Sequence, residues 1–227
     1  MHLKYKSYIK IVSILCFACI ISQSSLSLQA QPFKQEILQF QKSDSIVMPP
    51  MGQIVFAGSS SFTRWKEVAM YFPGYPIINR GFGGASLVDL IYYVDEAIIQ
   101  YQPSQVFIYC GENDLVTADS VTAVEAFNRF KTLFGMIRTN LPNIPIAFVS
   151  MKPSPSRASI QGRMKEANSF IKKYINAQNS AAFIDIYDLM LDEKGQMRAE
   201  LYIGDRLHMN AKGYAIWQKA IAPYLIK

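Results

Sequence analysis

The sequence predicts an α/β fold, a three-layer α/β/α sandwich around a flavodoxin-like parallel five-stranded sheet. Three observations lead there. Five short runs of β-branched and aromatic residues recur along the chain. They are apolar throughout rather than alternating, as strands covered on both faces are. Stretches with helical spacing of apolar residues separate most of them, which is the pattern of parallel strands joined by crossovers. Without internal repeats or low-complexity linkers, a chain of 227 residues fits one such domain.

The elements follow in order. Residues 31–53 read as an amphipathic lead-in that ends at the Pro49-Pro50 break. Residues 54–57 are the first strand, and 62–72 a short helix or turn closed by Pro73-Gly74. Residues 77–79 are the second strand. Residues 86–101 carry Leu87, Leu90, Ile91, Val94 and Ile98 at helical spacing, and Pro103 stops them. Residues 106–109 are the third strand and run into a loop at 110–114. Residues 120–140 form the longest helix, with Val121, Val124, Phe127, Phe130, Leu133, Phe134 and Ile137 facing inward. Strand four spans 146–150 and is followed by a proline-stiffened loop at 152–157, whose Arg157 reads most simply as a solvated loop arginine. A helix over 160–176, strand five at 182–186 and a last helix at 211–225 complete the domain. Tyr92, Tyr93 and Trp217 fall on helices, where core packing is the economical reading.

The first thirty residues have a different grammar. Lys4, Lys6 and Lys10 precede an apolar run from 11 to 21, and a polar stretch ends at Leu28-Gln29-Ala30. Basic, apolar, then small-residue is the pattern of a secretory signal peptide, so residues 1–30 are expected to be removed and the domain to span 31–227. A secreted or periplasmic protein without a stable membrane span follows, because the apolar run is short for a bilayer. An uncleaved anchor is the first alternative and a lipid-anchored form through Cys19 the lesser one. The segment holds three of the 23 basic residues and none of the 17 acidic ones, so its removal lowers the net charge from +6 to +3. No basic run remains for nucleic acid. Cys110 becomes the one cysteine, expected as a buried small hydrophobe. His208 becomes the one histidine, too few ligands for an ordinary zinc site.

The polar residues that remain unexplained fall at one edge of the expected sheet. Ser59, Ser60 and Ser61 follow strand one, Gly81 to Gly84 follow strand two, and Gly111 to Asp114 follow strand three. Ligands bind at that carboxyl edge in open α/β sheets. Asp205 and His208 precede the last helix, and three-residue spacing lets the carboxylate orient the imidazole so that its far nitrogen can take a proton from a serine. Asn113 can give a side-chain N–H, and Gly84 and Ser60 backbone N–H groups, to a developing oxyanion. Read blandly, each motif is a helix cap, a flexible turn or a surface pair. Gly81-Phe82-Gly83 only begins a dinucleotide fingerprint, since Ser86 stands where its third glycine would be.

Taken together these blocks resemble the SGNH/GDSL hydrolase family of serine esterases and lipases. Gly58-Ser59-Ser60-Ser61, Asn79-Arg80-Gly81-Phe82-Gly83-Gly84, Gly111-Glu112-Asn113-Asp114 and Asp205-Arg206-Leu207-His208 appear in the family's order and span nearly all of residues 31–227. The resemblance implies Ser60 as nucleophile, Asp205 and His208 as its partners, and Ser60, Gly84 and Asn113 as oxyanion donors. It implies metal-free, cofactor-free hydrolysis of carboxylic esters through an acyl-enzyme. Ser59 and Ser61 replace the aspartate and leucine of the family's signature, as in the branch similar to platelet-activating-factor acetylhydrolase subunits and secreted carbohydrate esterases. That branch implies a short acyl group, acetyl foremost, on a carbohydrate or similar small ester, with Arg157 as a substrate contact. A lipase, lysophospholipase or thioesterase for longer chains is the rival, and a catalytically silent carbohydrate-binding or cell-envelope module the reading from another class.

Overall fold

Each strand is apolar on successive residues because helices cover both sides of the sheet it enters. The computed structural model describes residues 32–118 and 120–227, and the signal peptide read in residues 1–30 lies outside them. The chain begins with α1 (Lys34–Ile46) and β1 (Ile54–Gly58), then the one-turn helices α2 (Ser60–Thr63) and α3 (Val68–Tyr71). Next come β2 (Ile77–Gly81), α4 (Leu87–Tyr92), α5 (Val94–Ala97), β3 (Gln105–Tyr109) and α6 (Glu112–Thr117). The second half holds α7 (Ala123–Asn140), β4 (Ile146–Val149), α8 (Gln161–Ile175), β5 (Ala181–Ile184) and α9 (Ala211–Ile221). The five strands are parallel in the order β2-β1-β3-β4-β5, the doubly wound order expected from the sequence.

Side chains alternate across the sheet and so feed two cores. Val55, Ala57, Val106, Ile108 and Phe148 pack with Leu90, Phe130, Leu133 and Ile171. Ile54, Phe56, Phe107, Tyr109 and Val149 pack with Phe62, Trp65, Tyr214 and Trp217 on the opposite side. Burying one such large apolar side chain contributes about 1.5–3 kcal/mol. The Trp65 and Tyr214 rings stack 4.9 Å apart, and Trp217 lies edge-on to Tyr109 at 4.6 Å. The aromatics thus serve mainly as core, and Cys110 is buried as expected.

The register places the ends of β1, β2 and β3 side by side. Gly58 pairs with Gly81 on one side and Tyr109 on the other. The loops that leave these three strands therefore start level with one another. β1 and β3, between which the strand order reverses, flank the switch point where open sheets bind ligands.

Several elements differ from expectation. The helix read over 86–101 is broken into α4, α5 and a 3-10 turn at Ile99–Tyr101, with Tyr93 and Ile98 outside helical geometry. The buried stripe of Leu90, Tyr93, Val94, Ala97 and Ile98 survives both breaks. Spacing alone could not reveal them, and β-branched Ile91, Val94, Ile98 and Ile99 weaken the helix there. Tyr92 is 59% exposed while Tyr93 is buried. Val124 is also exposed, because α7 turns Ala123, Ala126, Phe130, Leu133, Phe134 and Ile137 inward instead. The loop after β3 coils into α6, whose first turn carries Glu112 and Asp114, acidic residues that suit a helix N-terminus.

Candidate active site

The turn after β1 is fixed by close backbone contact. A Cβ on Gly58 would lie 2.0 Å from the Tyr109 carbonyl oxygen, so only glycine lets β1 hand over beside β3. The Ser59 N–H then donates to the Tyr109 carbonyl at 2.9 Å. Asn79, midway along β2, donates from Nδ2 to the Phe62 carbonyl at 2.6 Å and the Trp65 carbonyl at 3.2 Å. From α9 the Tyr214 hydroxyl donates to the Ser61 carbonyl at 2.9 Å. These bonds clamp α2 from two sides. Ser59 and Ser61 are buried, whereas Ser60 is half-exposed and holds its Oγ 2.9 Å from His208 Nε2.

The far partner is shaped by a turn, not by a helix. The Tyr202 and Met209 backbones pair as an antiparallel bridge, and the Ile203 N–H donates to the His208 carbonyl at 2.8 Å. Inside this closed loop Arg206 takes a left-handed conformation (φ 57°), uncommon for a side chain of its size. Asp205 Oδ1 accepts the Leu207 and His208 backbone N–H groups, each at 2.9 Å. Its Oδ2 lies 2.6 Å from His208 Nδ1. Burial pushes the Asp205 carboxyl up, but the bonds from the His208 ring and from the two backbone N–H groups outweigh it and hold the carboxyl well below its usual range. Only after Asn210, whose side chain caps the Lys212 and Gly213 N–H groups, does α9 begin.

Ser60, His208 and Asp205 thus form one hydrogen-bonded row. Gly84 and Asn113 line the same cleft, of about 530 Å³, as Ser60 and His208. Gly84 has φ +87°, a conformation that L side chains rarely adopt, and its N–H has no partner among the described residues. As the first residue of α2, Ser60 has a backbone N–H with no acceptor inside that helix. Asn113 gives one Nδ2 hydrogen to the Ala85 carbonyl at 3.0 Å, which leaves the other for the cleft. Arg157, read from the sequence as a solvated loop residue or a substrate contact, is half-buried in the cleft wall. Its Nη2 donates to Asn113 Oδ1 at 3.4 Å, which fixes the orientation of that amide.

Two buried charge clusters support the loops from below. Lys152 Nζ donates to Glu112 Oε1 at 3.1 Å, Glu112 Oε2 at 3.2 Å and the Tyr109 hydroxyl at 3.2 Å. The Lys152 side chain is 1% exposed, so the loop that follows β4 starts inside the molecule. The side chain is drawn inward because Glu112, itself buried, needs a counter-charge. Asp114 accepts the Leu87 N–H at 2.7 Å and pairs with Arg129 at 2.9 Å. Burial pushes the Asp114 carboxyl up, while the Arg129 and Leu87 bonds oppose that shift. Sequence reasoning gave Asn79, Glu112 and Lys152 no individual role. Polar residues just beyond apolar strands were the available signal, and one sequence does not pair residues 40 positions apart.

With this geometry in hand, known proteins can be compared. The model of the GDSL-like lipase/acylhydrolase family matches residues 44–216. Among curated proteins, an N-acylneuraminate cytidylyltransferase of Escherichia coli O18:K1:H7 (strain RS218 / NMEC) is 24% identical over 174 residues. That alignment takes in 76% of this chain but only 40% of the relative, so the chain spans less than half of that protein's length. A GDSL-like lipase from Bacteroides thetaiotaomicron VPI-5482 is similar in structure, with a TM-score of 0.69 and 21% identity over 83% of this chain and 96% of that one. An acetyl esterase solved with an acetate ion gives 0.59 and 13%, covering 77% and 96%. A carbohydrate esterase of family 3 from Talaromyces cellulolyticus gives 0.56 and 14%, with the same coverages. At these identities the solved structures show a shared fold.

Proposed function

The chain belongs to the GDSL-like lipase/acylhydrolase family, and on that premise we propose a carboxylic ester hydrolase, a serine esterase that removes short acyl groups, acetyl foremost, from a carbohydrate or similar small ester. The observation that carries this reading is the row Ser60 Oγ, His208 Nε2, His208 Nδ1, Asp205 Oδ2, with links of 2.9 and 2.6 Å. Ser60 Oγ attacks the ester carbonyl while His208 Nε2 takes its proton and passes it to the leaving alcohol. Asp205 holds the ring in the tautomer that leaves Nε2 able to accept, and its lowered carboxyl stays ionised to balance the imidazolium. The tetrahedral oxyanion receives the Ser60 and Gly84 backbone N–H groups and the free Asn113 hydrogen. Water then attacks the acyl-enzyme with His208 again as base, and Ser60 is regenerated.

Fold similarity to an acetyl esterase and a carbohydrate esterase supports the short acyl group and the sugar. The aligned cytidylyltransferase is named for a sugar substrate, N-acylneuraminate, which agrees with the carbohydrate reading. Its nucleotidyl transfer is not carried over. Secretion rests on the basic-then-apolar pattern of residues 1–30. Replacing Ser60 by alanine should abolish hydrolysis of p-nitrophenyl acetate with the circular dichroism spectrum retained, and full activity in Ser60→Ala would overturn the assignment. An acyl-length series on p-nitrophenyl esters should peak at two carbons. A peak beyond eight would assign a lipase instead.

A further inference from the structure

We propose that the cleft selects esters whose alcohol part carries an oxyanion group, a carboxylate or a phosphate, and that Arg64, Lys66 and Arg157 recognise it. This rests on the esterase reading above. The three cations line the same cleft as Ser60 and His208, and no carboxylate side chain lines it. Asp205 is turned onto His208 Nδ1, away from the nitrogen that faces Ser60. Among the described residues, no carboxylate lies within ion-pair distance of Arg64, Lys66 or Arg157. Glu67 borders the neighbouring groove that Arg64 and Lys66 also reach, and it pairs with neither. Arg157 also holds a buried Nε without a hydrogen-bond partner, while its Nη2 rests on Asn113. A buried donor of that kind is costly to leave unmade, and a ligand oxygen at the cleft wall can draw on the same guanidinium.

Physics makes the cluster selective. Like charges that have no internal partner repel one another until an anion arrives, and a cleft between low-dielectric walls concentrates their field on what enters. Guanidinium forks match carboxylate and phosphate oxygens in pairs. Arg64 lies four residues beyond the nucleophile and Arg157 touches an oxyanion donor, so the anion would be held beside the scissile bond.

Three matched acetyl esters test this on the full chain: an acetylated methyl glucoside, the corresponding methyl glucuronide, and acetylated glucose 6-phosphate. At low salt, kcat/KM for one of the two anionic esters should exceed that for the neutral one by roughly tenfold, the scale of a few part-exposed cations acting together. The advantage should shrink in 0.5 M sodium chloride (~4 Å Debye length). It should disappear in the Arg64→Gln, Lys66→Gln double variant and persist in Lys131→Gln, whose charge lies on α7. Whichever anionic ester leads distinguishes carboxylate from phosphate. Equal kcat/KM for all three, or a preference indifferent to salt and to the double variant, overturns the inference while the esterase reading stands. Failure to cleave any of them, p-nitrophenyl acetate included, removes the esterase reading and this inference with it.

Discussion

At the scale of single residues the site turns on which atoms are free to accept a proton. His208 Nδ1 is engaged by Asp205 at 2.6 Å, which leaves Nε2 alone to serve Ser60. A proton on Nε2 from solvent would block that step, so kcat/KM should fall as the solution is made acid. Asp205 is held well below the usual carboxylate range by the bonds from His208 and Leu207, so it stays ionised and adds no second proton to that loss. The acid limb of a pH–rate profile should therefore show a slope of one. A slope of two, or no acid limb, would count against His208 as the base. Three adjacent hydroxyls, equivalent by composition, separate here because two are buried and only Ser60 reaches the imidazole.

At the scale of elements, the side chains proposed as catalytic sit on short, locally weak pieces. Helix α2 is a single turn and α6 has six residues, lengths at which helix formation is unfavourable on its own. Tertiary bonds supply the rigidity instead. Asp114 ties α6 to the first residue of α4 through the Leu87 N–H and to α7 through Arg129. Replacing Asp114 by alanine leaves the buried Leu87 N–H without its acceptor and Arg129 with Glu125 as its one carboxylate partner, a loss of about 3 kcal/mol. Urea denaturation of Asp114→Ala should show it as a lower midpoint, and a change below ~1 kcal/mol would mean the carboxylate is dispensable. The longer elements were readable from apolar spacing, with ends displaced by a few residues. Helix α6 was not, because its six residues lack a full period of apolar positions and begin at a glycine with φ +124°.

At the scale of the whole molecule, residues 32–227 form a compact unit of their own. A chain beginning at residue 31 should fold, melt as the full-length protein does and cleave p-nitrophenyl acetate at the same rate. A drop in melting temperature beyond a few degrees would show that residues 1–30 belong to the fold. No helix among the described residues is long and apolar enough to cross a membrane. The sheet order brings the ends of β1, β2 and β3 level, so residues 60, 84, 113 and 208 meet although they span most of the chain.

The sequence by itself determined the fold class, the strand order expected of it, the three blocks at which polar residues end apolar strands, and the Asp205–His208 pair before the last helix. Those are local properties: burial on both faces writes a continuous apolar run, and a tight turn writes a glycine. The family resemblance had picked Ser60 from three serines, and only the tertiary structure decided that Arg157 braces Asn113, that Lys152 is a buried counter-ion to Glu112, and that three cations share one cleft with no acid. Each of these depends on distances between side chains far apart in the chain, and periodicity carries no record of such distances. The turn after β1 could be located from its own residues. Its chemistry depends on an imidazole 148 positions away.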